Sequence, residues 1–460
     1  MLSSLASSLP SSLASSLASS LASSLARLTS TVPVAPPHDT LVAAFEAAGG
    51  RSDPFVALHS GKSPEARTRG AALDGAWRWA SLLHSRGVAR GDRVPILLPT
   101  GTAFIEALLG SMLAGAVPVP LAMPMTFGSI DRYLRNLAAI VEDSGSRLAI
   151  ASPRLRDGAA KDDDLRRLLR DVLVETDLGP STASPSVSVS SSDPAFLQYT
   201  SGTTGHPKGA IISHGALVAN AFAIAHGLAI GPSDVGVSWL PLFHDMGLIG
   251  VLLTAICHPY PLHLISPESF VMSPRKWLDL IGKTQGTLCA APNFAYDLAV
   301  ARGGDAAGLA LGSLRVTLNG AEPVHAATVA RFVQKFAPAG YRSDAMMLVY
   351  GLAENTLAVA FPSLSSKLDV LEVDRESLEQ RGKVVVTEGG LRVTAISVGG
   401  PVAGTTIEIV RVTGALAEER EVGEVLVSSP SLMTGYFRND EASLEALAGG
   451  KLHTGDLGFV

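Results

Sequence analysis

The chain has 460 residues, 47% hydrophobic and 17% charged, with a formal net charge of -6. That apolar content excludes disorder over most of the length, and the acidic balance argues against a nucleic-acid binder, which would carry a basic face. Two cysteines, Cys257 and Cys289, cannot make a disulfide framework and point to a reducing compartment, so a cytoplasmic protein is expected.

Residues 2–26 are a leucine/serine run in which leucine returns every fourth residue from Leu5 to Leu25. A four-residue step overshoots the helical turn, so the stripe drifts round a helix, and Pro10 and the serines weaken it further. The first charge is Arg27, so no basic segment precedes the run as in a secretory signal. Residues 1–39 are expected to be a disordered tail. From 40 to 193, helical stretches such as Leu73–Ser85 alternate with short apolar runs such as Arg93–Leu98 and Arg147–Ala151, the pattern of an α/β subdomain with a buried parallel sheet. Ala107 to Ile130 carries no charge and is long enough to span a bilayer, but Pro118, Pro120 and Pro124 interrupt it. A buried helix near Phe104–Ala114 feeding a strand at Ala116–Leu121 is expected, with no stable membrane insertion.

Asp157–Glu175 reads as a charged helix with Asp162, Asp163 and Asp164 near its start, and Pro180–Asp193 as a Ser/Pro-rich linker. Residues 194–383 form a second α/β stretch, in which Gly247–Ile256 is expected to be a buried helix, lining of a pocket by its start being the alternative. Beyond it, Lys383–Val386, Gly404–Arg411 and Gly423–Ser428 are short β-branched runs, so 384–460 is expected to be a small β-rich subdomain.

Phe196–Tyr199 runs directly into TSGTTGHPKGA, residues 200–210. Its glycines allow close backbone approach to a polyphosphate, its amides and hydroxyls can bond the oxygens, and Lys208 brings charge. The spacing is not that of a G-x-x-x-x-G-K-[ST] loop, because Gly202 and Gly205 stand at the wrong distances from Lys208. Cys257, His258 and His263 are close in sequence, but Pro259 and Pro261 interrupt them and no fourth ligand follows, so they are not read as a zinc site.

The string YTSGTTGHPKGA resembles the phosphate loop of the adenylate-forming superfamily, which includes acyl-CoA synthetases, firefly luciferase and peptide-synthetase adenylation domains. NGAEP (Asn319–Pro323), YGLAENT (Tyr350–Thr356) and TGDLG (Thr454–Gly458) are similar to that family's nucleotide motifs, in the expected order, and AGAVPVPL (Ala114–Leu121) to an early segment. HDMGLIG within Ser238–Gly250, with APNFAYDLA and SLRVTLNGAEPV, resembles the fatty acyl-AMP ligases. So does the stretch between Pro362 and Ala395, which is similar to the extra segment that sets these ligases apart from CoA-using relatives.

The resemblance implies two doubly wound α/β subdomains plus a small β-rich one. It implies activation of a fatty acid by ATP with Mg2+, giving acyl-AMP and pyrophosphate for transfer to an acyl carrier protein in polyketide, lipopeptide or lipid biosynthesis. The alternatives are an acyl-CoA synthetase and a non-catalytic acyl-adenylate binding module. Carried over position by position, Thr200, Ser201, Gly202, Thr203, Thr204 and Gly205 with Lys208 would cradle the β- and γ-phosphates. Ala321, Glu322 and Pro323 would line the adenine pocket, Tyr350 and Gly351 would meet the base, and Asp456 would take the ribose hydroxyls. Glu354 would hold Mg2+, and His244 would stand by the substrate carboxylate and α-phosphate. Singly, His244–Asp245 also reads as a helix-start pair, Glu354 as a cap and Asp456 as a turn acid. Behind His244 an apolar tunnel lined by Gly247–Ile256 and Pro292–Tyr296 is expected, while Phe243, Met246 and Phe294 read equally as core. The sequence ends at Val460, just after TGDLGFV, where the family normally continues into a mobile lid domain that carries a further lysine. These 460 residues are therefore expected to bind acyl-AMP yet form it at least about 10²-fold more slowly than an extended version.

Overall fold

The computed structural model describes residues 26–47, 50–61, 63–123, 130–180, 187–200 and 207–460. Three larger sheets organise it. The first is parallel throughout and runs in the order Val117–Pro120, Arg93–Leu97, Leu148–Ala151, Asp171–Leu173. Its strands are short and apolar on both faces, as a sheet sandwiched by helices requires. The uncharged stretch beginning at Ala107 resolves into a buried helix, Thr102–Leu113, and the strand Val117–Pro120. Among the described residues no helix is long and apolar enough to cross a membrane.

The second sheet has seven strands, Met346–Leu348, Val316–Asn319, Leu288–Ala291, Gly236–Ser238, Leu262–Leu264, Pro54–Leu58 and Glu65–Thr68. All pairs are parallel except the last. Its outer two strands come from within residues 40–193, expected to build only the first subdomain. The apolar strand Pro54–Leu58 finds its partner in Leu262–Leu264, a pairing between distant segments that no local pattern signals. A core of interlocked rings, Trp239 stacked on Phe270 and Trp277, Tyr296 and Phe332 edge to face, locks helices onto this sheet.

The third sheet is antiparallel, Arg27–Thr29, Thr406–Val410, Gly423–Ser428 and Leu452–Gly458. The expected tail over residues 1–39 is thus corrected at Arg27–Thr29, which zips onto the edge strand Thr406–Val410; residues 1–25 of that expectation lie outside the described residues. Two further expectations change. The helix over Asp157–Glu175 is instead Pro153–Ala159, Asp163–Leu168 and the strand Asp171–Leu173, because the Asp162 side chain caps Leu165 N and starts a new helix there. Lys383–Val386 makes only isolated bridges, to Glu421 and Val373. Within the segment between Pro362 and Ala395, the strand Val370–Asp374 pairs with Arg392–Ile396 around the helix Arg375–Arg381.

The expected helix at Gly247–Ile256 is present but wound differently: Met246–Leu253 is π-helical, passing into α-helix at Thr254–Cys257. Thr254 Oγ1 donates to Ile249 O at 2.8 Å, which helps satisfy the widened turn. Such stretches are rare and concentrate at functional sites.

Candidate active site

The parallel strands of the seven-stranded sheet present their C-terminal ends to one region, where open α/β sheets bind ligands. Asn319 leads into Gly320–Pro323, Leu348 into Tyr350, and Ser238 into the loop that carries His244. Ala321 takes φ 65°, and Glu322 Oε1 accepts from Phe294 N at 2.6 Å, fixing the start of helix Asn293–Arg302. Ala321, Glu322 and Pro323 are all exposed at this rim.

Tyr350 and Asp456, 106 positions apart in sequence, are brought together: the phenol donates to Asp456 Oδ2 at 2.6 Å. That acceptor and burial both push the Tyr350 phenol up, burial being the larger cause. Gly351 admits no side chain, since a Cβ would lie 2.1 Å from Leu357 O. The turn after it is strained at Thr356, a β-branched residue at φ 62°, held by its hydroxyl's bond to Ser431 O at 2.6 Å. Glu354 sits in that turn, half-buried, its Oε1 accepting from Tyr436 Oη at 2.7 Å.

The strand Pro194–Thr200 and the strand Lys208–Ser213 form a hairpin with Thr200 opposite Lys208. Ser201, Gly202, Thr203, Thr204 and Gly205 lie outside the described residues. Lys208 Nζ stands 5.3 Å from the ring centre of Tyr436. Tyr436, in MTGYF, drew no attention in the sequence, because a single tyrosine has no spacing signal.

His244 Nδ1 lies 2.7 Å from Asp245 Oδ1, and Asp245 Oδ1 also accepts from Met246 N at 2.6 Å, capping the π-helix. The Asp245 hydrogen bond, reinforced by its charge, outweighs desolvation and raises the His244 pKa above its ordinary value. With Nδ1 donating to Asp245, the Nε2 of the imidazolium is free to donate elsewhere.

Two cavities meet at His244–Asp245. One, about 640 Å³, lies between helix Ile130–Ser144 and the residues Gln198, Phe243 and His244. The other, about 180 Å³, is bounded by Ala321, Tyr350 and Gly351 at the nucleotide motifs and by Ile224, Met246, Gly250, Leu357 and Phe361 deeper in. Gly250, Ala290 and Leu318 also wall a further void of about 30 Å³ that Tyr260 and Cys289 line as well. Of the residues expected to line a tunnel, Gly250 and Val251 border these two voids and none of Pro292–Tyr296 does. Tyr296 is fully buried in the aromatic core, and Phe294 is pinned at the surface by the Glu322 bond, 47% exposed. Phe243 lines the larger cavity and Met246 the smaller one.

The site so far is a crevice at the C-terminal ends of a parallel sheet, flanked by the Pro194–Thr200/Lys208–Ser213 hairpin, with cavities meeting at His244–Asp245. The family model of AMP-binding enzymes matches residues 45–437, and the chain belongs to that family. Among curated relatives, it is 33% identical to a Caulobacter vibrioides protein provisionally named an acyl-CoA synthetase, over 91% of this chain and 74% of that one. It is 32% identical to JamA of Moorena producens, a medium-chain-fatty-acid–[acyl-carrier-protein] ligase, over 84% and 69%. Among solved structures, a chain from a study of fatty acyl-adenylate ligases of E. coli and L. pneumophila superposes with TM-score 0.86 at 34% identity, covering 92% of this chain and 78% of its own. The L. pneumophila fatty acyl-adenylate ligase with acyl adenylate and pyrophosphate gives TM-score 0.86 at 31% identity, covering 92% and 76%.

Proposed function

We propose that the chain activates a fatty acid with ATP, releasing pyrophosphate, and that the acyl group of the resulting acyl-AMP then passes to the thiol of an acyl carrier protein, with AMP leaving. The observation that carries this is the channel behind His244. We read it as the 180 Å³ cavity beside Ala321 and Tyr350 continued by the 30 Å³ void that shares Gly250, Ala290 and Leu318 with it, and His244 and Asp245 are the only charged or basic side chains among the described residues lining the two. An amino-acid substrate would need a charged partner there; an alkyl chain needs only apolar surface, worth about 0.8 kcal/mol per buried methylene. The relatives and solved structures named as fatty-acid ligases support this substrate class, and JamA's name supports a carrier as acceptor.

In this reading Tyr350, Gly351 and the Ala321–Pro323 rim hold the base and Asp456 the ribose hydroxyls. The loop at Thr200–Gly205 with Lys208 holds the β- and γ-phosphates. One oxygen of the acid attacks the α-phosphorus while the bond to pyrophosphate breaks and its electron pair leaves with pyrophosphate. Protonated His244 donates from Nε2 to an oxygen of the crowded α-phosphate, and positioning and charge neutralisation do the rest. Glu354 fits as the Mg2+ carboxylate: it is a half-buried hard-oxygen donor of which Tyr436 engages only Oε1. No cluster of three His, Cys, Asp or Glu stands among the described residues, so Mg2+ would be shared between this carboxylate and the nucleotide phosphates, its common mode. When bound it would neutralise phosphate charge.

The test is acid-dependent exchange of labelled pyrophosphate into ATP. Long-chain acids should support it and amino acids should not. A CoA acceptor, as the Caulobacter relative's name suggests, is distinguished by offering CoA and holo-carrier in parallel; the carrier should be acylated and CoA should not.

His244 gives a pH signature. Its pKa is raised in the folded protein, so the protonated donor persists to higher pH and exchange falls as pH rises through that raised value. Asp245→Asn removes the main cause of the shift, and the alkaline fall in kcat/KM should move to lower pH. An unmoved alkaline limb would remove His244 from the mechanism.

A further inference from the structure

We propose that Tyr436 is a positioning residue for the phosphate end of the nucleotide site, holding Glu354 through its hydroxyl and Lys208 against its ring. This rests on the ATP-dependent reading above and adds a residue to it. The hydroxyl donates to Glu354 Oε1 at 2.7 Å, and the Lys208 ammonium stands 5.3 Å from the ring centre, within cation–π range. One side chain thus touches both the lysine assigned to the phosphates and the carboxylate assigned to the metal, which lie on separate segments of chain.

The backbone around Tyr436 makes the arrangement rigid. Thr434 N donates to Ile211 O at 2.9 Å, Ile211 N to Gly435 O at 2.9 Å, and Phe437 N to Gly209 O at 2.8 Å. Residues 434–437 therefore lie along the Lys208–Ser213 strand as an added edge. Met433 N donates to Glu354 O at 2.8 Å, tying the same segment to the Glu354 turn. Tyr436 N donates to Ser443 Oγ at 2.8 Å, anchoring it to helix Asp440–Ala446.

The two halves of the side chain do separate work. The hydroxyl holds one carboxylate oxygen and so sets the direction of the other, which a hard cation needs fixed. The ring gives the ammonium a resting place that is not a carboxylate, so Lys208 meets incoming phosphate without first breaking an ion pair with Glu354. A hydrogen bond to a charged group is among the stronger side-chain contacts.

The experiment measures equilibrium affinity for ATP and for AMP, each with and without Mg2+, in the wild-type chain and in Tyr436→Phe and Tyr436→Ala. Tyr436→Phe keeps the ring: the gain in ATP affinity on adding Mg2+ should shrink about tenfold, while AMP and Mg2+-free ATP hold within about twofold. Tyr436→Ala should also weaken Mg2+-free ATP, because Lys208 loses its support, and still bind AMP. A wild-type Mg2+ response in Tyr436→Phe would overturn the proposal, as would an equal loss for AMP and MgATP, which marks a merely structural role. A wild-type chain whose ATP affinity ignores Mg2+ would overturn the parent reading instead.

Discussion

Lys208→Ala should slow acid-dependent pyrophosphate exchange by about 10²–10³-fold, the usual cost of deleting one preorganised electrostatic contact at a transition state. Lys208 is half-buried at the start of the Lys208–Ser213 strand, opposite Thr200 and beside Tyr436. The Tyr436 ring fixes where its charge falls. Two negative centres approach each other in this reaction, and the lysine's share of neutralising them grows as pyrophosphate departs. AMP, which lacks the β- and γ-phosphates, should bind the variant nearly as well as the wild type. Calorimetry with AMP beside the exchange assay separates the two effects. An equal loss of AMP binding would mean that Lys208 supports the fold of the site and not the leaving group.

Gly250→Phe should shorten the accepted acyl chain. Gly250 walls both the 180 Å³ cavity and the 30 Å³ void beyond it, and a Cβ there would already come within 2.9 Å of Leu357 Cδ2. The end of a leucine side chain can give way to one carbon, but a whole ring would fill the passage. Excluding about four methylenes at about 0.8 kcal/mol each removes about 3 kcal/mol, or about 10² in kcat/KM for a long acid. Short acids, which never reach Gly250, should be used as before. The ratio of kcat/KM between a long and a short acid is the readout. A uniform loss across chain lengths would place the acyl group elsewhere, the larger cavity beside Phe243 being then the first candidate.

Much of the site was legible because its residues sit in contiguous strings. NGAEP and YGLAENT each run from a strand into a turn, TGDLG lies within the strand Leu452–Gly458, and the structure brings Tyr350 and Asp456 into hydrogen bonding across 106 positions. The strands were legible where apolar runs were bounded by glycine or proline, as at Val117–Pro120 and Gly423–Ser428. What was not legible is non-local. Pro54–Leu58 reads as an ordinary strand whichever sheet it joins, and only packing sends it to Leu262–Leu264. Arg27–Thr29 is too short to announce itself and exists because Thr406–Val410 offers an edge. The π-helix has the same apolar composition as an α-helix, so the wider winding at Met246–Leu253 has no periodic signature. Apolar character near the site does not say which way Pro292–Tyr296 faces. The Glu322 bond to Phe294 N turns that helix start outward.

The central claim is that the channel behind His244 holds an alkyl chain joined to adenylate. The most direct test is the affinity of a homologous series of stable acyl-adenylate analogues, measured calorimetrically. The account predicts about fourfold tighter binding per added methylene until the chain passes Gly250 and fills the void that Tyr260 and Cys289 help line, and then a plateau. A series flat with chain length, or an aminoacyl-adenylate analogue bound more tightly than any alkyl one, would contradict it.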